Sequence, residues 1–233
     1  FYYKTFMWPK SFWYKIYEPF IRKAAGLGVA SLEKDNERYE HKFEYCDLLV
    51  TGSGPSGLAS AYAAAKNGAK VILAEDKPRY GGTLLTDDVS IDNMSGKDWA
   101  DKIISELKTM PNVTLKNRSQ VFGYYDHNMM VMFERVSDHL SKKSKYTPRQ
   151  RLWYIRAKET ILSTGSIERP IVFGNNDTPG VVLSSAAKEY MKVYGVLVGR
   201  KPIIFTNNDS AYETAFEFKK NNIEPIILDS REE

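Results

Sequence analysis

Cysteine is almost missing from this chain: Cys46 is the single one in 233 residues. One thiol cannot close an intrachain disulfide, and it cannot supply the redox cysteine pair of a disulfide reductase. Its place inside a short apolar run marks it as a small core residue. Histidine is scarce as well. His41, His127 and His139 stand far apart, without the spacing of metal ligands or of a Ser/His/Asp set, so each reads as a surface or loop residue and no metal site is expected. No run of about 18 apolar residues occurs, which excludes a membrane-spanning helix from the reading. The first residues are aromatic and polar, without the apolar core of a secretory signal. A reducing cytoplasm is therefore the expected setting. Charge of one sign is also lacking. The 33 Lys and Arg against 29 Asp and Glu leave +4, spread too evenly for a nucleic-acid footprint. The densest basic segment, Lys142-Lys143-Ser144-Lys145 with Arg149 and Arg151, reads as a solvated loop.

What the chain does have is a glycine turn in an informative setting. Val50 to Gly57 reads V-T-G-S-G-P-S-G. It follows the apolar run Cys46 to Val50, which predicts a buried strand. The alanine-rich stretch from Ser56 to Asn67 predicts a helix closed by Gly68. Val71 to Ala74 is a second apolar run and ends at Glu75. In such a strand–turn–helix–strand unit each glycine has a separate task. Gly52 allows the tight turn, Gly54 lets the main chain approach a pyrophosphate, and Gly57 lets helix and strand touch. The helix N-terminus, starting with Pro55 and Ser56, turns its free N–H groups and positive dipole end to the phosphates. Glu75, followed by Asp76, is placed to accept hydrogen bonds from the adenosine ribose, which disfavours a 2′-phosphate and hence NADP. The expectation is a site for the ADP half of FAD or NAD.

The rest of the chain is organised around that unit. Residues 1–44 are expected to form an aromatic and basic connector, with Trp8, Trp13, Tyr14, Tyr17 and Phe20 packing on a neighbouring domain or subunit. Pro9 and Pro19 should interrupt any amphipathic helix there, and Ser31 to Lys42 reads as a linker. Residues 45–198 form the dinucleotide-binding domain. Within it, Gly81-Gly82-Thr83-Leu84-Leu85 would let backbone and hydroxyl lie close to a ligand. Asp98 to Met110 has helical spacing, and Val113 to Leu115 is a short strand. Gln120 to Tyr125, Met129 to Glu134 and Leu152 to Ala157 read as an antiparallel insert, with Met129, Met130 and Met132 as packing residues. The apolar strand Glu159 to Leu162 runs into Ser163-Thr164-Gly165-Ser166 and should return main chain, including Thr164 and Gly165, to the nucleotide site. Asp177 to Val181 is a turn, and Ser184 to Tyr194 a helix ending at Gly195.

Residues 199–233 repeat the first unit in outline. Ile203 to Phe205 is a strand, Ala211 to Asn221 a helix, and Pro225 to Leu228 a strand ending at Asp229. Laid over the first unit, Asn207 stands for Gly52, Asp209 for Gly54 and Tyr212 for Gly57. Asn and Asp can reach positive φ, so a tight turn is still possible there. An aspartate facing a pyrophosphate would repel it, and a tyrosine would part helix from strand. An architectural role is expected of this second copy. A start at Phe1 and a stop at Glu233, just after a strand, are expected of a piece of something longer.

The order of these parts is that of the two-dinucleotide-binding-domain flavoproteins, an α/β, Rossmann-like FAD/NAD(P)-binding fold with a small antiparallel insert and the start of a second, degenerate unit. Within that superfamily, Glu18 to Gly28 (E-P-F-I-R-K-A-A-G-L-G), G-S-G-P-S-G, G-G-T-L-L, Asn176 to Ala187 (N-D-T-P-G-V-V-L-S-S-A-A) and Phe205 to Tyr212 (F-T-N-N-D-S-A-Y) resemble the α subunits of heterotetrameric sarcosine oxidase. The resemblance implies a complex of α, β, γ and δ subunits that oxidises sarcosine to glycine, makes peroxide and passes the one-carbon unit to tetrahydrofolate. It places the amine substrate and FAD in the β subunit, FMN at the α/β interface, and NAD on the glycine-rich unit, held by Gly52, Gly54, Gly57 and Glu75 with Gly82 and Thr83 nearby. Related amino-acid, opine, proline or glycine dehydrogenase subunits binding FAD are the alternative, and an assembly module with a structural nucleotide is a further one.

Overall fold

The computed structural model describes residues 8–28 and 30–231, and it divides at Glu37/Arg38 into two compact units. The first unit is a short helical segment. A 3₁₀ turn at Lys10–Phe12 and a π-type turn at Trp13–Tyr17 lead into α1, Glu18–Ala24. Pro19 does not break this segment as its sequence suggested. It sits in the first turn of α1, directly after the π-type turn. Trp8, Tyr14 and Phe20 are exposed.

The second unit is built on a mixed sheet of order β5-β2-β1-β8-β7-β6. Its first strand, β1, runs from Tyr39 to Thr51, so the end of the expected linker is strand and not loop. The glycine turn follows, then α2 (Pro55–Lys66) and β2 (Val71–Ala74). A two-residue hairpin, β3 (Ser90–Ile91) and β4 (Met94–Ser95), turns on Asp92 and Asn93, both at positive φ. The helix α3 spans Gly96–Thr109 and starts two residues earlier than its apolar spacing shows, because Ser95 Oγ accepts the N–H of Asp98 and caps it. The strands β5 (Val113–Lys116), β6 (Ser119–Tyr125), β7 (Met129–Arg135) and β8 (Gln150–Leu162) complete the sheet.

The segments 152–157 and 159–162 are one strand. Lys158 between them turns outward to an ion pair with Asp47 on the neighbouring strand, so its charge interrupts the apolar pattern without interrupting the ladder. β1 and β8 pair in parallel from Tyr39↔Gln150 to Thr51↔Leu162 and form the spine. The antiparallel β7 and β6 extend the first half of that spine, and the parallel β2 and β5 extend the second half from Leu48 onward. The insert is thus part of the main sheet.

Both faces of the spine carry a core. Leu48, Val50, Leu58, Ala61, Leu73, Trp99, Ile103 and Leu107 fill the side under α2 and α3. Cys46, Leu49, Ile72, Met130, Met132 and Ile155 fill the other. Burial pushes the Cys46 thiol up to about 12, so it stays protonated and inert. Met130 and Met132 are packing residues, as expected.

After β8 the chain runs without regular structure to α4 (Ser184–Tyr194), β9 (Ile203–Thr206), α5 (Ser210–Lys220) and β10 (Ile226–Asp229). β9 and β10 pair in parallel, and Met191, Ile204, Ala215 and Phe218 make their core. On α4, Lys188 bridges Asp87 and Glu213, and Lys192 bridges Asp88 and Glu217. These pairs fasten the second copy to the loop that follows Gly82-Thr83.

Candidate functional site

The glycine turn joins the C-terminal end of β1 to the N-terminus of α2, at the middle of the sheet. Gly52 has φ +94°, a conformation that only glycine adopts easily, and a Cβ there would lie 2.2 Å from the Ser163 carbonyl oxygen. A Cβ at Gly57 would lie 2.0 Å from the Gly52 carbonyl oxygen and 3.3 Å from Ser163 Cβ. Both positions are therefore glycine because main chain passes there.

Gly54 is different. Its φ of −66° suits any residue, and a Cβ would meet nothing within 4 Å. Neither packing nor conformation requires glycine at this point. The open space before it, at the mouth of a helix whose first N–H groups have no intrahelical partner, is a cradle for an anionic group. Pro55 and Ser56 are exposed at the same mouth. The residues present thus fit a dinucleotide pyrophosphate.

Other segments close around this mouth. Gly82, at φ +53°, approaches so closely that its Cβ would lie 2.9 Å from Gly54 Cα, which leaves Thr83 exposed beside the turn. Ser163 donates its N–H to the Thr51 carbonyl at 2.7 Å, and Thr164 and Gly165 follow, exposed, next to Gly52. A cleft of about 170 Å³ opens between this region and α4, with Lys77, Arg79, Thr83, Ser185, Glu189 and Tyr194 in its wall. Glu189 holds Lys77 Nζ at 2.7 Å.

Glu75 lies just past β2, is 6% exposed, and has its carboxylate turned toward the glycine turn. Oε2 accepts from Ser53 N–H at 2.9 Å and from Ser53 Oγ–H at 2.5 Å, while Oε1 accepts the Lys77 N–H at 3.0 Å. Burial raises the Glu75 carboxyl above its ordinary range, and Asp76 beside it adds to this; the donors from Ser53 and Lys77 work against the rise. Asp76 itself is exposed, and its carbonyl accepts from Arg135 at 2.6 Å. Asn117 Nδ2 donates to the Pro78 carbonyl at 2.7 Å and pins the same loop. The residues in the site that sequence reasoning passed over are Ser53, Arg135 and Asn117. Only Ser53 carried a signal, a small hydroxyl residue between the first two glycines.

The second copy is arranged otherwise. Asp209 has φ −77°, and none of residues 207–209 is at positive φ, so no tight glycine-like turn forms. Asn208 Oδ1 instead accepts the Ser210 N–H at 3.0 Å, an Asx turn that leads into α5. Arg231 reaches Asp209 at 2.8 Å and Asp229 at 2.7 Å, and Tyr212 donates its hydroxyl to Asp229 at 3.0 Å.

A central strand, a glycine turn at its C-terminal end, a helix mouth and an acid past the second strand define the class: this is an α/β, Rossmann-type fold. Residues 47–138 match the family described as FAD dependent oxidoreductase. The chain is homologous to sarcosine oxidase α subunits, being 47% identical over 232 residues to the sarcosine oxidase α subunit of Rhizobium meliloti (strain 1021), 99% of this chain and 24% of that protein. It is 38% identical over 210 residues to its counterpart from Corynebacterium sp. (strain U-96), 89% of this chain and 22% of that protein. The chain thus spans about a quarter of the length of the curated relatives it matches. Among solved structures, L-proline dehydrogenase from P. horikoshii shares the fold at a TM-score of 0.68 and 22% identity, covering 87% of this chain and 38% of that one.

Among the described residues, no helix is long and apolar enough to cross a membrane, and no group of His, Cys, Asp and Glu is placed to hold a metal ion.

Proposed function

We propose that this chain is the dinucleotide-holding part of a sarcosine oxidase-type α subunit, with NAD on the glycine-rich unit. The dinucleotide reading is carried by Gly54, a glycine that neither its backbone angles nor its neighbours require. Gly52, Gly57 and Gly82 bring main chain to the pyrophosphate, Pro55 and Ser56 start the helix that faces it, and Thr83, Thr164 and Gly165 flank it. Glu75, with Asp76 next to it, takes the adenosine ribose. Sarcosine as the amine is supported by the 47% identity with the R. meliloti protein. In this reading, partner subunits β, γ and δ complete a cytoplasmic complex. Its β subunit would bind the amine and FAD, FMN would lie at the α/β interface, and the one-carbon unit would pass to tetrahydrofolate with release of peroxide. A bound nicotinamide or flavin supplies hydride chemistry; this chain's residues bind and orient it.

A second reading places FAD on Gly52 to Glu75, as in one chain of an amino-acid or opine dehydrogenase. The match to a family of FAD-dependent enzymes and the 26% identity over 174 residues to an opine oxidase subunit of Agrobacterium tumefaciens (strain Ach5) favour it. Mass spectrometry of nucleotides released on denaturing the intact protein separates the two. NAD together with FAD and FMN supports the first reading, FAD without NAD supports the second, and no nucleotide at all refutes both.

A further inference from the structure

Ser53 joins separate parts of the site through one side chain. It is fully buried, between the first two glycines of the turn. Its N–H and hydroxyl both donate to Glu75 Oε2, and the same hydroxyl accepts the Gly81 N–H at 3.1 Å. The Gly81 N–H also reaches the Ser53 carbonyl at 3.1 Å. These directions are forced, because an amide N–H only donates and an ionised carboxylate only accepts.

Counting acceptors then limits what Glu75 can do. A carboxylate oxygen has about two lone-pair sites. Ser53 fills both on Oε2, and Lys77 fills one on Oε1. These donors leave one acceptor, and the Asp76 carboxyl stands within hydrogen-bonding reach of the same group.

We infer that Ser53 is a positioning residue for nucleotide recognition: it holds Glu75 so that a single carboxylate acceptor meets a single ribose hydroxyl, and it locks that acid to the Gly81-Gly82 turn beside the pyrophosphate cradle. The inference rests on the dinucleotide reading above. A buried carboxylate held by neutral donors gains proton affinity when a donor is removed, so loss of the hydroxyl blunts the acceptor as well as freeing its orientation. The Gly81 turn also loses one of the groups that fix it.

The test compares binding of ADP and 2′-deoxy-ADP to the intact protein freed of nucleotide. The wild type should prefer ADP by about tenfold, the worth of one hydrogen bond to a charged group. Ser53→Ala should reduce that preference to within about twofold, with ADP affinity falling clearly more than that of 2′-deoxy-ADP. Glu75→Gln should do the same, and the double variant should add nothing further, since one residue acts through the other. Ser53→Cys, of similar size and with a weaker donor, should fall between and keeps the test usable if the alanine variant does not fold. Equal weakening of both ligands by Ser53→Ala would mean a merely structural role and overturn the inference. An unchanged preference in Ser53→Ala and Ser53→Cys, with the preference lost in Glu75→Gln, overturns it too and leaves the dinucleotide reading standing. No preference in the wild type and no effect of Glu75→Gln overturn the reading itself.

Discussion

The same strand–turn–helix–strand outline is folded in two places, and the two copies treat their acids in opposite ways. In the first copy Glu75 is buried and held by main-chain and hydroxyl donors, with one acceptor to spare. In the second, Asp229 is tied to the Arg231 guanidinium and the Tyr212 hydroxyl, and Arg231 pulls its carboxyl well below the ordinary aspartate range. The glycines differ in the same sense. Gly57 lets α2 touch the turn, whereas Tyr212 at the matching place reaches across to the acid. Gly54 faces open space, whereas Asp209 at the matching place is drawn into the Arg231 pair. An outline of secondary structure therefore does not make a nucleotide site. What makes one is acceptor capacity and space that the chain leaves unfilled.

The comparison breaks first at Gly57. In Gly57→Ala the new Cβ would meet a carbonyl oxygen at 2.0 Å, so helix and turn must part. Overpacking of this kind costs about 3 kcal/mol, which for a domain of this size is a fall in Tm of roughly 10 °C, with loss of nucleotide. Differential scanning calorimetry reads it, and an unchanged Tm would mean that the close contact is not maintained. Gly54→Val separates binding from folding. With nothing within 4 Å of the new Cβ, Tm should stay within about 2 °C while bound nucleotide falls at least tenfold, to about one part in ten or less of the wild-type content. Equal nucleotide content in this variant would remove the ground on which the first copy is called a site.

Why the first copy was legible in the sequence follows from the same residues. Tight turns and close backbone approach can be met by so few residue types that Gly52, Gly54 and Gly57 announce their geometry in order, and the apolar runs on either side fix β1, α2 and β2. The start of β1 at Tyr39 was hidden because its first half alternates aromatic and charged residues, with Phe43 exposed on one side. The unity of β8 was hidden by Lys158, whose partner Asp47 lies on another strand. The β3–β4 hairpin was missed although Asp92-Asn93 is a turn pair, since its strands are too short to show a period. Ser53 could not be assigned a role from sequence because its partners, Glu75 and Gly81, are met only after the chain has folded back.

The acids themselves sharpen the contrast through pH. Glu75 has a folded-state pKa above its unfolded value, so the folded state holds the proton longer and stability falls as pH rises through the interval between the two. Nucleotide affinity should move the opposite way, because the free acceptor on Oε1 exists only while the group is ionised. Titrating the nucleotide dissociation constant of the intact protein downward from neutral pH should show weakening that begins above the ordinary glutamate value of about 4.3. Glu75→Gln should abolish the inflection. An inflection unchanged in that variant would assign it to another group.

The smallest expected effect lies in the second copy. Asp229 is the reverse case of Glu75: its folded pKa lies below the unfolded one, so its contribution to stability is present above the usual aspartate range and fades as pH falls through the depressed value. Arg231 is half-exposed and Asp209 nearly fully so, and water and salt screen such pairs. Arg231→Ala should therefore lower Tm by no more than about 2 °C near neutral pH, and the difference from wild type should vanish in acid, where Asp229 is protonated in both. Nucleotide content should not change, because freeing Asp229 creates neither the positive φ of Gly52 nor the open space of Gly54. If Arg231→Ala instead gained a second equivalent of nucleotide, the arginine alone would be what keeps the second copy closed, and the difference between the copies would reduce to one removable side chain.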